Sequence, residues 1–240
     1  MKRLIILLAL AALAVPVTAS ATDSPGGTTC TPTGFFRDGI NLTAARLGGT
    51  VAGKLDAAGC DIGVYYGPGS TGSVSAATIT NAKYFGVVNY RGNVNVTNSN
   101  ISMIGDQPFD GSQHGVGIFF TTEELPNGTT SGSTTGMITG NVLSQYQKGG
   151  ITVRGVGATA KILNNKLTGL GHIDFIAQNG IQVSFGANAA VKRNTVSGHW
   201  YTPDSNEACG VLFYGATGDT TGAMNTLTDN EVNVCAVSLP

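Results

Sequence analysis

The chain has 240 residues, a formal net charge of -1 at pH 7 and only 11% charged residues, against roughly 25% in an ordinary globular domain. Its thirteen Lys and Arg residues are scattered, which argues against a nucleic-acid partner, and its 41% hydrophobic content argues against disorder. The 35 glycines, together with many asparagines and β-branched residues, are typical of an all-β solenoid.

The first 21 residues have the features of a secretory signal peptide. Lys2 and Arg3 form a short positive region, residues 4–15 are apolar, and residues 19–21 (Ala-Ser-Ala) match a cleavage site. The mature chain is therefore expected to begin near Thr22 and to be secreted, or periplasmic in a bacterium. No later run of about 18 apolar residues follows, so no membrane span is predicted.

Residues 22–48 are predicted to be an N-terminal cap. A repeated sheet needs such a cover because a bare first strand would expose an unpaired edge. Asn41 is a suitable N-cap residue, so we expect a short helix from Asn41 to Arg46 within this segment. Residues 49–240 form the repeat domain.

Six segments of the repeat domain share one template: apolar, two residues, a small or amide residue, one residue, apolar, one residue, then Ser, Thr or Asn. The segments begin at Val74, Val96, Ile138, Ile162, Val191 and Leu227. A Gly-aliphatic-x-apolar motif precedes each segment. Short alternating runs at this spacing predict three strands per turn of about 22 to 24 residues, which is a parallel β-helix.

The fourth position of the template becomes asparagine in the later repeats. Stacked turns lie about 4.8 Å apart, and an asparagine amide can donate and accept hydrogen bonds at once. We therefore predict a structural ladder of amide side chains, formed by Asn141, Asn165, Asn194 and Asn230.

The Gly-Ile-x-Val strand followed by the Val-x-x-Asn-x-Val-x-Gly bend resembles the pectin-lyase-like superfamily over roughly residues 49–235. The resemblance implies an all-β fold: a single-stranded right-handed parallel β-helix of about seven to eight turns with an N-terminal cap. Because that fold hosts lyases, hydrolases, epimerases, tailspikes and non-enzymes, the resemblance predicts the fold but no particular activity.

The chain contains four cysteines, which allow three pairings. In an exported protein disulfides are favoured over metal ligation, and no Cys-x-x-Cys or Cys/His cluster suggests zinc. The pairs Cys30–Cys60 and Cys209–Cys235 are favoured because each would secure one end of the repeats. No metal and no cofactor is predicted.

The loops that follow the seventh template position are expected to stack on one edge of the repeats. Binding residues often lie on loops held by a rigid scaffold. These loops contain all three histidines and the single tryptophan, so we predict that they contribute to substrate binding through His114, His172, His199, Trp200 and Tyr201.

The superfamily resemblance implies a substrate groove along the outer face of the first strand of each turn. The aromatic side chains on that face could stack on sugar rings, and the polar ones could bind hydroxyls or a carboxylate. The predicted binding residues of this face are Tyr65, Tyr90, Phe119, Gln182 and Tyr214.

A polysaccharide lyase needs a base and a group that neutralises the substrate carboxylate. The candidate catalytic residues are His172, Arg154 and Lys148, with Asp174 placed to orient the His172 imidazole. The groove face carries no cluster of carboxylates, so a calcium site is not expected. If the protein is an enzyme, the pattern favours a lyase over a glycoside hydrolase.

The sequence thus predicts a secreted monomeric β-helix that binds an extracellular polysaccharide or cell-surface glycan, with lyase-like cleavage left open. The alternative is a non-catalytic structural or adhesive solenoid of the cell surface or matrix.

Overall fold

The computed structural model describes residues 28–124, 129–203 and 205–239. Within these residues the protein is all-β and contains no helix, so the predicted fold class is confirmed at this level. No helix of the described chain could cross a membrane. The predicted signal peptide, residues 1–21, lies outside the described residues. The short helix expected from Asn41 to Arg46 is wrong, because this segment is a strand that pairs on both sides.

Twenty-two strands follow in chain order. They are β1 (Thr31–Arg37), β2 (Ile40–Leu47), β3 (Gly49–Asp56), β4 (Ile62–Tyr66), β5 (Thr71–Thr80), β6 (Phe85–Tyr90), β7 (Asn93–Thr97), β8 (Asn100–Ile104), β9 (Val116–Thr121), β10 (Glu123–Glu124), β11 (Thr129–Thr130), β12 (Met137–Thr139), β13 (Val142–Tyr146), β14 (Gly149–Arg154), β15 (Thr159–Leu163), β16 (Lys166–Ile173), β17 (Asn179–Ser184), β18 (Asn188–Lys192), β19 (Thr195–Tyr201), β20 (Cys209–Tyr214), β21 (Thr226–Asn230) and β22 (Val232–Val237).

Of the strands in the described residues, β10 and β11 pair only with each other, and the others form two large sheets, with β3 joining the second through its pairing with β5. Sheet 1 has the order β1-β2-β4-β6-β9-β14-β17-β20-β22, and only its β1–β2 pair is antiparallel. Sheet 2 is parallel throughout and forks at β5, whose first half pairs with β7 and whose second half pairs with β8. One branch continues as β7-β12-β15-β18 and the other as β8-β13-β16-β19-β21. Successive repeats therefore add one strand to each ladder in turn.

The glycine that opens each Gly-aliphatic motif is required by the close approach of neighbouring strands. A Cβ atom added to Gly86 would lie 2.5 Å from the carbonyl oxygen of Gly117 and 2.7 Å from the side chain of Ile101. A Cβ atom added to Gly117 or Gly150 would clash in the same way with the next strand and with a core side chain. The repeated glycine is thus a packing requirement of sheet 1.

The main core lies between sheet 1 and the two branches of sheet 2. Sheet 1 contributes the aliphatic residues that follow its glycines, and the two branches contribute the first and sixth positions of the template. Its fully buried members include Val87, Ile118, Ile151, Ile181, Val211, Val96, Ile138, Ile162, Leu143 and Leu167. Each such side chain contributes roughly 1.5–3 kcal/mol by leaving water.

A column of buried amides runs along the corner between the two branches of sheet 2. The Nδ2 of Asn141 donates to the Oδ1 of Asn165 at 2.9 Å, and Asn165 donates in the same way to Asn194 at 3.0 Å. Each of these Oδ1 atoms also accepts the backbone N–H of the preceding member at 3.0 Å. Ser99 continues the column with its own N–H bonded to Asn141.

The last member of the amide column is Asn225, and the prediction of Asn230 was wrong. The Nδ2 of Asn194 donates to the Oδ1 of Asn225 at 2.9 Å. The template placed Leu227 level with Val191, but Leu227 pairs with Val196. Met224 has the positive φ, 66°, that marks the residue before each column member in the earlier repeats.

Two disulfides secure the ends of the repeats, with the pairing favoured by the sequence. Cys30–Cys60 joins the residues before β1 and β4, with its Cα atoms 5.4 Å apart. Cys209–Cys235 joins β20 to the last strand of sheet 1, with its Cα atoms 6.0 Å apart. The predicted disulfides are therefore confirmed, and they fit an oxidising compartment.

Replacing Asn165 with alanine should destabilise the fold. The change leaves the buried Nδ2 and N–H of Asn141 without their acceptor and Ile138 O without its donor. Each such buried group costs about 1–3 kcal/mol when left unpaired. Urea unfolding measures the loss. Asn100→Ala, at an exposed position of the same template, is the matched control. Equal free energies of unfolding for the two variants would show that the amide column does not stabilise the fold.

Candidate functional site

The side chain of Phe35, from β1, covers the aromatic residues on the first half of the outer face of sheet 1. The ring of Phe35 lies 5.1 Å from Tyr90, 5.9 Å from Tyr65 and 6.5 Å from Phe119, measured between centroids. Tyr65, Tyr90 and Phe119 are 7%, 8% and 3% exposed. The expectation of an open aromatic face is therefore wrong here, because the three predicted stacking rings form a second core beneath Phe35.

The second half of the same outer face is accessible. Thr152, Gln182 and Leu212 stand in one register column across β14, β17 and β20, and Arg154, Ser184 and Tyr214 stand in the next. Gln182, Leu212, Arg154 and Tyr214 are half-buried and so reach the surface. We call these four residues the open face. The structure thus brings together three residues named from the sequence, Gln182, Tyr214 and Arg154.

Arg154 is held in place by an acidic and an aromatic neighbour. Its Nε donates to Glu123, whose side chain is buried, and its guanidinium lies 3.9 Å from the centroid of the Phe185 ring. Phe185 also contacts Tyr214, with ring centroids 5.3 Å apart. The sequence did not indicate Glu123 or Phe185, because one lies at the start of an insertion and the other follows the end of a strand.

The open face carries little net charge. Glu123 compensates Arg154, and Arg37 of the hairpin lies within electrostatic reach of both. Arg37 itself lies 3.6 Å from Asp38, and burial lowers the pKa of its guanidinium. The groups that remain to bind a ligand are an amide, an aromatic ring, an aliphatic side chain and the remaining N–H groups of Arg154.

The loops beside sheet 1 pack against one another through internal polar contacts. The Gln147 amide contacts the loop of residues 105–115 through Asp106 N, Asp110 and Ser112 O. Lys148 donates from Nζ to Ala177 O at 2.8 Å, and burial lowers the pKa of its amine to about 8. Lys148 therefore holds two loops together.

His114 is buried and contacts Asp106 and Tyr84 rather than lining an open binding loop. Its Nε2 lies 2.7 Å from Asp106 and its ring stacks on Tyr84 at 4.0 Å. Lys83 lies 3.4 Å from the same carboxylate and lines a pocket of about 260 Å³ with Asp61 and Asp106. No pattern in the sequence pointed to Lys83 and Tyr84, which come just before a glycine motif.

His199 is part of the core, contrary to its predicted place among the binding residues. Its Nδ1 lies 2.8 Å from Asn230 Oδ1, an acceptor, so Nδ1 carries the proton. The hydroxyl of Tyr146 donates to Nε2 at 2.7 Å. The imidazole is fully buried, and desolvation lowers its pKa to about 4. This environment explains why Asn230 is bound here rather than in the amide column.

His172 and Trp200 form an exposed aromatic pair on the extended ends of β16 and β19. Their ring centroids lie 4.5 Å apart, and Trp200 Nε1 donates to Asp229 O at 3.0 Å. Tyr201 lies next to this pair and is half-buried. Asp174 is exposed and makes no hydrogen bond to His172 among the described residues, so the predicted orienting contact is absent there.

Two of the four predicted catalytic residues, Lys148 and Arg154, lie far apart. Lys148 precedes β14 and Arg154 ends it, so at about 3.3 Å per residue the two lie about 20 Å apart. His172 lies on the loop edge and stacks on Trp200. Within the part of the chain that is described, no cluster of three His, Cys, Asp or Glu residues could hold a metal ion.

No protein-family model, curated protein or solved structure matches the chain. The superfamily resemblance of the repeat sequence therefore stays a prediction.

Buried His199 should make the fold sensitive to mild acid. Its pKa is about 4 in the folded chain and about 6.5 when unfolded, so its contribution is complete above pH 6.5 and is lost as the pH falls towards 4. Below pH 4 the loss is about 3 kcal/mol. Urea unfolding at pH 7, 5.5 and 4 measures this loss. Between pH 7 and pH 4 the free energy of unfolding should fall less in His199→Gln than in the wild type, by the amount that His199 contributes. Exposed His172→Gln is the control and should keep the wild-type pH dependence.

Proposed function

We propose that the protein is a secreted right-handed parallel β-helix that binds an extracellular glycan without cleaving it. Sheet 1 and the two branches of sheet 2 would be the three faces of such a helix. The two disulfides suit an exported chain. The hairpin of β1 and β2 is its N-terminal cap, and the protein acts as a monomer.

The observation that carries this proposal is the composition of the open face. Gln182 and Leu212 lie side by side on neighbouring strands, and Tyr214 and Arg154 flank them towards the strand ends. Sites for small polar ligands combine an apolar or aromatic surface with a few placed hydrogen-bonding groups. Tyr214 and Leu212 pack against the apolar face of a sugar ring, and Gln182 and Arg154 form hydrogen bonds with its hydroxyls.

The charges of the open face favour a neutral glycan. The carboxylate of Glu123 already neutralises Arg154. An acidic sugar would have to compete with that buried carboxylate for the guanidinium, whereas a hydroxyl can use an N–H that Glu123 leaves free. The proposed ligand class is therefore a neutral polysaccharide.

Binding without cleavage follows from the separation of the predicted catalytic groups. A base and the group that neutralises the carboxylate must contact the same sugar, within hydrogen-bond reach. Lys148 and Arg154 stand at opposite ends of β14, and the Nζ of Lys148 donates a hydrogen bond to a backbone carbonyl.

Tyr214→Ala tests the open face. On immobilised neutral polysaccharides the wild-type chain should bind, and the variant should bind about tenfold more weakly, which corresponds to about 1.4 kcal/mol. Phe36→Ala removes a ring that is 43% exposed on the hairpin and is the matched control. Thermal melting of both variants separates lost binding from unfolding.

The same panel should include acidic polysaccharides and an assay for unsaturated and reducing-end products. Unsaturated products from the wild-type chain would contradict the non-catalytic function. An absence of binding to every polysaccharide would remove the glycan proposal and leave the structural or adhesive alternative.

A further inference from the structure

A separate groove crosses the outer surface of sheet 2, away from the open face. It has a volume of about 600 Å³, within the range of about 300–1,000 Å³ that is typical of ligand sites. Four neighbouring strands of one branch, β7, β12, β15 and β18, form its floor, so it spans about 14 Å at about 4.8 Å per strand. We call it the lateral groove.

One of the strands that form the floor of the lateral groove is short. β12 has three residues, while β7 and β15 on either side have five. The residues before β12 make only isolated bridges, at Thr134 and Thr135. Gly136 lies so close to Val94 that an added Cβ would meet its carbonyl oxygen at 1.8 Å, so only glycine fits this wall of the groove.

Several polar side chains in the groove have unused hydrogen-bonding capacity. The hydroxyls of Thr135 and Thr159 and the amide of Asn188 form no hydrogen bond with other described residues. The Oδ1 of Asn95 accepts the N–H of Met137 at 2.9 Å, and its Nδ2 has no partner within the same part of the chain. These groups lie on neighbouring strands, beside the apolar side chains of Met137 and Ala190.

The groove also contains one cationic side chain, Lys161. Lys161 is exposed in the centre of the groove, and no described residue forms an ion pair with it. On the open face, by contrast, Glu123 pairs with Arg154. A ligand with one anionic group would place it at Lys161 and its hydroxyls on the threonine and asparagine side chains.

The groove fits a sugar chain better than a peptide or a nucleic acid. A peptide that adds as a strand needs an unpaired sheet edge. β12 and β15, which carry Met137 and Lys161, are paired on both sides, and the outer edge of β18, where the branch ends, lies beside the groove rather than across its floor. A nucleic acid needs several cations and gains from aromatic rings, and the groove offers a single lysine and no ring.

We propose that the lateral groove binds a short anionic glycan, an oligosaccharide that crosses the four strands and places a carboxylate or sulfate on Lys161. This site is independent of the open face and of the neutral glycan proposed for it. Its apolar floor contacts the sugar ring, and its amides and hydroxyls bind the ring hydroxyls.

Three trisaccharides of one backbone test the lateral groove: a uronate form, its carboxyl-reduced neutral form and a sulfated form. Titration calorimetry should show that the full chain binds one or both anionic forms at least tenfold more tightly than the neutral form. The preferred form identifies the anionic group as carboxylate or sulfate. Affinity should fall as salt is raised, because the charge of Lys161 is exposed and screened.

Lys161→Gln should weaken anionic binding at least tenfold, and Thr159→Ala should weaken it less. Lys166→Gln is the matched control, because Lys166 is another exposed lysine on an outward strand position and makes no ion pair with a described residue. Tyr214→Ala should leave this binding unchanged, which separates the lateral groove from the open face. Equal affinity for the neutral form, an equal loss in Lys166→Gln, or no binding of either anionic form at millimolar concentration would overturn the proposal.

Discussion

Parallel pairing places each residue directly beside its counterpart in the next strand, about 4.8 Å away. A buried polar group at one position therefore recurs beside its own copy, and it is stable only if the copies can bond to one another. The asparagine amide meets this condition because it donates and accepts at once. Asn141, Asn165, Asn194 and Asn225 do so, and in the same geometry the glycine column leaves no room for a Cβ.

The sequence predicted those parts of the fold that repeat. The glycines, the aliphatic core positions and the first three members of the amide column all followed from spacing, because parallel pairing in constant register turns spacing into position. The prediction for the last repeat was wrong for the same reason. Residues 218–225 stand where a regular strand would be, so the template matched the chain at Leu227 instead. The pairing of Leu227 with Val196 shows the true register.

The candidate site could be predicted only in part, because the residues that cover or compensate it are remote in sequence. Tyr65, Tyr90 and Phe119 do point to the outer face. Their repeats carry no signal that Phe35 packs on them, because Phe35 lies in an irregular part of the β1–β2 pairing. His199 lies in a segment that looks like a loop, yet Tyr146 and Asn230 complete its hydrogen bonds inside the core. Partners thirty or more residues away decided both outcomes.

The open face and the lateral groove differ in whether their cation is paired with a carboxylate. Burying a cation costs free energy unless it is paired, so Arg154 beside the core is held by buried Glu123. Lys161 is exposed to solvent, where an unpaired cation costs little, and no carboxylate of the described residues pairs with it. The fold therefore leaves its open face neutral for structural reasons, and an anionic ligand gains more at the lateral groove, where no carboxylate competes for the cation.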